Sequence, residues 1–204
     1  MVKPVNVAVL VSGGGTNLQA IIDFAKAGKL KSGKLVKVIS NKENAFALTR
    51  AKQAGIETAV VSKAGITQQE FETGIIKELE SCGAKVIVLA GFMCILSKDF
   101  TDKYSDRIIN VHPSLIPSFC GEGFYGLKVH ESALEYGVKV TGATVHFVNE
   151  IPDGGKIIMQ KAVAVKDGDT PEILQRRVME RAEWIILPQS VEKVAKEILE
   201  RKSK

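Results

Sequence analysis

The 204-residue chain predicts an α/β fold: a mostly parallel sheet with helices on both faces and an antiparallel portion towards the C-terminus. Three observations predict it. Short β-branched runs alternate with helix-period segments of roughly 10–15 residues. The first such run leads through glycines straight into a helical segment, as at the crossover of a parallel sheet. Two later segments alternate apolar and polar residues, as half-buried strands do.

The elements follow in order. VNVAVLV (5–11) is a continuous apolar run, the pattern of a strand buried on both faces. SGGGT (12–16) is a glycine turn, and 17–28 has helical periodicity ending at Gly28. KLVKVIS (34–40) is the second strand, 44–54 a helix stopped by Gly55, and ETAVVS (57–62) the third strand. A helix over about 67–81 precedes AKVIVLA (84–90), and RIINVH (107–112) is a further strand. Residues 113–126 hold two prolines and three glycines in one irregular stretch, and a loop that long is usually functional. Segments 138–148 and 156–165 pair as a hairpin through NEIPDGG, and 170–204 is helical with Pro188 as an interior break or kink. With no repeat or linker, 1–204 is expected to be one domain with a Rossmann-like sheet.

Composition narrows the function. Hydrophobic residues at 45% and charged residues at 25% exclude a disordered chain. The net charge of +5 lies in residues 1–40, which hold six lysines and one acid. Lys26, Lys29, Lys31, Lys34 and Lys37 gather around one helix end and the next strand, which fits a solvated helix C-terminus better than a polyanion site. A basic stripe interleaved with aromatics, as nucleic-acid binding asks for, is missing. No apolar run approaches the ~20 residues of a membrane span, and VAVLV is too short for a signal core. Cys82, Cys94 and Cys120 are widely spaced and suggest neither a disulfide frame nor a zinc site. A cytoplasmic protein acting on small molecules is expected, without metal, nucleic-acid or membrane partners.

Three groups of residues can hold chemistry. At the SGGGT turn, backbone N–H groups and the helix N-terminus can hold an anion, with Ser12, Thr16 and Asn17 as side-chain donors. The turn is neither a dinucleotide fingerprint, since Leu18 takes the place of the third glycine, nor a Walker loop. Asn110 and His112 point to one side at the C-terminal end of a strand and could stabilise an oxyanion; a turn cap and a satisfied core histidine fit the spacing equally well. Asp153 sits in an IPDGG loop. It is a turn residue unless the loop folds over His112, where its carboxylate would raise the imidazole pKa and make a proton donor. His146 is placed towards the site. His130, in HESAL rather than HExxH, is placed on the surface.

Together VLVSGGGTNLQAIID, SNKENAFALTRAKQAGI, VLAGFMCILS, IINVHPSLIPSF, KVTGATVHFVNEIPDGGKIIMQ and the Glu183/Pro188 terminus resemble the folate-dependent phosphoribosylglycinamide formyltransferase family over nearly all of the chain. The resemblance implies formyl transfer from 10-formyltetrahydrofolate to the amine of 5'-phosphoribosylglycinamide in de novo purine (IMP) biosynthesis. The amine would attack directly through a tetrahedral intermediate, with no metal, and the protein would be a monomer or homodimer. It implies Asn110, His112 and Asp153 as catalytic residues. Ser12, Gly14, Gly15, Thr16, Asn17 and Glu183 would bind the ribonucleotide. Met93, Cys94, Ile95, Leu96, Asn110, Asn149 and Asp153 would bind the folate.

The chain departs from the family pattern in places. Cys94 and Gln68 stand at or near positions where relatives often carry arginine, so anchoring of the folate's glutamate tail is expected to be weaker or to use other residues, such as Lys63 or Lys98. E-W-I-I-L-P replaces the commoner E-H-x-x-Y-P after Glu183, and Cys120–Gly126 is longer than usual, predicting a different rim to the site. Cys120 is the rival nucleophile but has no evident basic partner. Two sibling activities, formyltetrahydrofolate deformylase and methionyl-tRNA formyltransferase, share the Asn/His/Asp core. They are disfavoured because the chain begins at its first strand and stops after its final helix. A non-catalytic nucleotide- or folate-binding regulator is the remaining alternative.

Overall fold

The computed structural model describes residues 3–202. Its seven strands form one sheet in the order β3-β2-β1-β4-β5-β6-β7. They are β1 (Val5–Val11), β2 (Gly33–Ser40), β3 (Glu57–Val60), β4 (Val86–Leu89), β5 (Ile108–His112), β6 (Val140–Phe147) and β7 (Ile157–Ala164). The first five are parallel, while β6 runs antiparallel to both β5 and β7. The helices are α1 (Thr16–Lys26), α2 (Phe46–Gln53), α3 (Gln68–Ser81), α4 (Lys98–Lys103), α5 (Leu127–Tyr136), α6 (Pro171–Val178) and α7 (Trp184–Lys202).

The alternation of β1 explains how the sheet holds both helical layers. Val5, Val7, Val9 and Val11 pack on one face with Leu18 and Ile21 of α1, Leu48 of α2 and Leu187 and Val191 of α7. Ala8 and Leu10 pack on the other face with Phe71, Ile75 and Leu79 of α3. A strand buried on both sides has no polar face to show, and hence reads as an unbroken apolar run.

Chain order reverses direction across the sheet between β1 and β4. In open α/β sheets, ligands bind at that switch, beyond the carboxyl ends of the strands. Here the glycine turn after β1, residues 91–97 after β4 and residues 110–113 closing β5 all lie at that edge.

Several expectations are corrected. Helices α4 and α5 are additional to the predicted elements. α4 has six residues and is defined chiefly by its cap, where the Ser97 side chain accepts from the Phe100 N–H. Pro188 does not break its helix. It lies inside α7, and the irregularity is a π-helical segment, Met179–Glu183, just upstream. The carbonyl a proline ring crowds is four residues back, at Trp184, directly after that π-helical segment. Lys37 is not part of the exposed lysine group. It is buried, with its ammonium 2.6 Å from Glu57 and 2.8 Å from Glu78. Among the described residues, no helix is long and apolar enough to cross a membrane.

Candidate active site

β5 places Asn110 and His112 on one side of the strand end, and β6 brings His146 opposite Asn110 in register. The Asn110 Nδ2 lies 3.3 Å from His146 Nε2. His146 Nδ1 donates to the Phe147 carbonyl at 2.8 Å, since a carbonyl can only accept.

Asp153 reaches over this pair from the loop between β6 and β7. Its Oδ2 lies 3.2 Å from His112 Nδ1, and its Oδ1 3.5 Å from His146 Nε2. The Gly121 N–H adds a 2.9 Å hydrogen bond to Oδ2. Asp153 has φ of 56°, a left-handed conformation that few non-glycine residues adopt. The loop returns tightly to β6 at Gly155, where a Cβ would stand 1.7 Å from the Phe147 carbonyl oxygen. Only glycine permits that approach, which in turn sets where the carboxylate sits.

The electrostatics of the pair differ from the expectation. His112 Nε2 is 2.8 Å from the Phe119 carbonyl and Nδ1 faces Asp153, so both ring nitrogens meet acceptors. That arrangement favours the imidazolium. Burial opposes it and wins, holding the His112 pKa below its ordinary value despite Asp153 and the Phe119 carbonyl. For Asp153, burial pushes the pKa up, but the nearby His146 imidazole, the hydrogen bond from the Gly121 N–H and the proximity of His112 outweigh it and hold the carboxyl low.

The opposite wall comes from the two ends of the chain. Gly15, which is not itself among the residues lining the cleft, caps α1 with φ of 73°, and a Cβ there would lie 2.6 Å from the Ala47 Cβ. The next turn aims Asn17 at the π-helical segment, where its Nδ2 donates to Glu183 Oε2 at 2.7 Å. Glu183 is buried, and burial raises its pKa against the smaller effect of the Asn17 bond. Between these walls lies a cleft of about 730 Å³.

Asn17, Met93, Cys94, Ile95, Asn110, His112, Asp153 and Glu183 all line this cleft, as expected from the sequence. Others do not. Ser12 is buried, and its Oγ accepts from the Met93 N–H at 2.9 Å, tying the glycine turn to the 93–96 rim. The Gly14 carbonyl accepts from Arg50 Nε at 2.9 Å. Thr16 lines a separate groove of about 550 Å³ between α1 and α7. Leu96 is a core side chain, and Asn149 Oδ1 accepts from the Ile151 N–H within its own turn. His130 reverses its assignment: it is fully buried and lines the cleft, with neither ring nitrogen hydrogen-bonded. Burial and the nearby His112 push its pKa down to about 4. The Cys120 thiol is raised by burial and by Asp153, so it is held as the neutral thiol.

Residues 5–191 match the family model described as formyl transferase. The chain belongs to the formyl transferase family. It is 44% identical over 174 residues to phosphoribosylglycinamide formyltransferase of Escherichia coli strain K12, covering 85% of this chain and 79% of that protein. It is 46% identical over 194 residues, or 95% of this chain, to the human trifunctional purine biosynthetic protein adenosine-3. It spans only 18% of that relative's length. Among solved structures, glycinamide ribonucleotide transformylase 1 from Symbiobacterium toebii superposes with a TM-score of 0.88 at 38% identity, covering 95% of this chain and 89% of that one. Phosphoribosylglycinamide formyltransferase from Coxiella burnetii, in complex with CHES, gives 0.87 at 39% identity, covering 96% and 89%.

Within this cleft, Gln175 and Met179 were missed by sequence reasoning, as was His130. His130 had a readable signal, since it falls on the same helical face as Val129 and Ala133 and ahead of the C-cap Gly137. Residues 121–126 also line the cleft, as the lengthened segment after Cys120 predicted. The four lysines 26, 29, 31 and 34 are exposed around the far end of α1 and are not among the cleft residues. Among the described residues, no group of His, Cys, Asp and Glu is arranged to hold a metal ion.

Proposed function

We propose that the chain transfers the formyl group of 10-formyltetrahydrofolate to the amine of 5'-phosphoribosylglycinamide. The observation that carries this reading is the Asn110–His112–Asp153 cluster in one cleft with Asn17 and Glu183, within a chain of the formyl transferase family. The amine nitrogen attacks the formyl carbon, the carbonyl electron pair moves to oxygen, and a tetrahedral oxyanion forms. The second N–H of Asn110 and the protonated His112 stabilise that oxyanion. The negative charge developing there favours the imidazolium, as Asp153 does, so the proton is held where charge appears.

Collapse expels the folate nitrogen, which takes up a proton as the amine loses one. A water fixed by Asp153 relays that proton. The formyl oxygen takes the place of the Phe119 carbonyl at His112 Nε2, so productive binding displaces residues 117–121. Phosphate is held by N–H groups of the glycine turn at the start of α1, and Glu183 accepts or donates at the ribose hydroxyls. The chemistry needs neither a metal nor a covalent enzyme intermediate. This reading assigns small-molecule substrates and a cytoplasmic setting, with Met93–Ile95 and the Asp153 loop around the folate.

The test is tetrahydrofolate release with and without the ribonucleotide. Release strictly dependent on the ribonucleotide supports the transferase; release without it supports the deformylase.

A further inference from the structure

The glycine turn after β1 uses only one side of its backbone. The Gly13 carbonyl accepts from the Ala47 N–H at 3.0 Å and the Gly14 carbonyl from Arg50 Nε at 2.9 Å, so both donors come from α2. In a trans peptide unit the C=O and N–H point in opposite directions. The N–H groups of Gly14 and Gly15 share those two units and are therefore turned away from α2. Among the described residues, neither N–H has a hydrogen-bond partner. Gly13 and Gly14 are exposed, and a Cβ on either would meet nothing within 4 Å.

α2 is packed closely enough to hold that orientation. A Cβ on Gly15 would stand 2.8 Å from the Ala47 Cα and 3.4 Å from the Arg50 Cδ. The guanidinium is itself fixed. Besides its bond to Gly14, Nη1 donates to Gln19 Oε1 at 3.1 Å, and the group lies 5.0 Å from the Phe46 ring centre. Its hydrogen-bond partners are a carbonyl and an amide, and among the described residues it has no carboxylate partner, so its charge is not cancelled. A carbonyl that accepts from a cation polarises its own peptide unit, which makes the Gly15 N–H a stronger donor.

We infer that Arg50 is a positioning residue for the phosphate of the ribonucleotide: it holds the Gly14 carbonyl and so turns the Gly15 N–H outwards to the anion. For its substrate this rests on the transferase reading, whereas the turn's affinity for an anion does not. The role belongs to the planar fork. Nε and Nη1 hold a carbonyl and an amide at once, which an ammonium on a flexible stem does not reproduce.

A tie that only fixed α2 to α1 would affect every substrate alike. The experiment therefore compares the ribonucleotide with its 5'-dephosphorylated riboside as formyl acceptors. Arg50→Met keeps a stem over Phe46 but removes the donors and the charge. It raises the ribonucleotide KM about tenfold, with kcat, the donor KM and the riboside kcat/KM all within about threefold of the unaltered protein. The advantage of ribonucleotide over riboside shrinks accordingly. Arg50→Lys recovers only part of that advantage. Gln19→Ala, which frees the other arm of the fork, leaves it within about threefold. Equal losses for both acceptors, an unchanged ribonucleotide KM in Arg50→Met, or full recovery in Arg50→Lys overturns the inference.

Inorganic phosphate supplies the same test without turnover, with the Gly14 and Gly15 amide signals followed by NMR. The Gly15 signal shifts in the unaltered protein and much less in Arg50→Met. Equal shifts in the two proteins, or none in either, overturn the inference. The expected shifts with no formylated product from either acceptor leave it standing and overturn the transferase reading alone.

Discussion

Two carboxyl groups face each other across one cleft, and burial acts on both in the same direction. Asp153 is nevertheless held low and Glu183 raised. The difference is in their depth and their donors: Glu183 is the more deeply buried of the two. Asp153 accepts from the Gly121 N–H and stands between two imidazoles, whereas Glu183 has the single amide of Asn17. Deeper burial and fewer donors at Glu183 push the two acids' pKa values apart, which separates an electrostatic role from a binding role.

Among the tests of this comparison, the largest expected effect comes from replacing each carboxyl by an amide. Asp153→Asn lowers kcat by about 10²–10³, because the imidazolium loses its partner. Glu183→Gln, which keeps an acceptor for Asn17 without the buried carboxyl, keeps kcat within about threefold and shifts the ribonucleotide KM modestly. Equal losses in steady-state assays of the two variants would abolish the distinction.

His130 sharpens the comparison from the side of a base. Its folded pKa of about 4 lies below the unfolded value, so as pH falls towards 4 the unfolded chain takes a proton that the folded one refuses. Stability is lost over that interval, by about 3 kcal/mol if His130 acted alone. His130→Phe flattens that loss in unfolding curves measured between neutral pH and pH 4. An unchanged slope would show the ring to be solvated.

Glu183 has the opposite sign among acids. With a raised folded pKa, its contribution is complete below the unfolded pKa and is lost as pH rises through the folded one. Glu183→Gln therefore stabilises the protein at neutral pH, seen as a rise in Tm. The gain vanishes in acid below the ordinary glutamate range. Calorimetry at two pH values decides it.

The smallest effect is spectroscopic. In an NMR titration, His112 protonates below the ordinary histidine range, and lower still in Asp153→Asn. A midpoint above that range would mean that attraction to Asp153 outweighs burial.

Much of this was legible in the chain itself. The unbroken VNVAVLV run, the glycine turn and the two-residue spacing of Asn110 and His112 are local patterns, and each sits where its periodicity placed it. The β6–β7 hairpin was equally readable, whereas the β5–β6 pairing that brings His146 opposite Asn110 was not. What escaped depends on neighbours distant in sequence. The sign of the His112 shift depends on how deeply the strand end is buried. His130 is polar on an apolar helix face, and only tertiary packing reveals that α6 and α5 meet there. Thr16 and Asn17 are adjacent in sequence, yet the helix turn sends one to an outer groove and the other to the cleft.

The most direct test is the rate of formylated product from His112→Ala, measured with both substrates saturating and compared with the unaltered protein. The account predicts a loss of about 10³-fold or more with the donor KM nearly unchanged. Full turnover by that variant would contradict it.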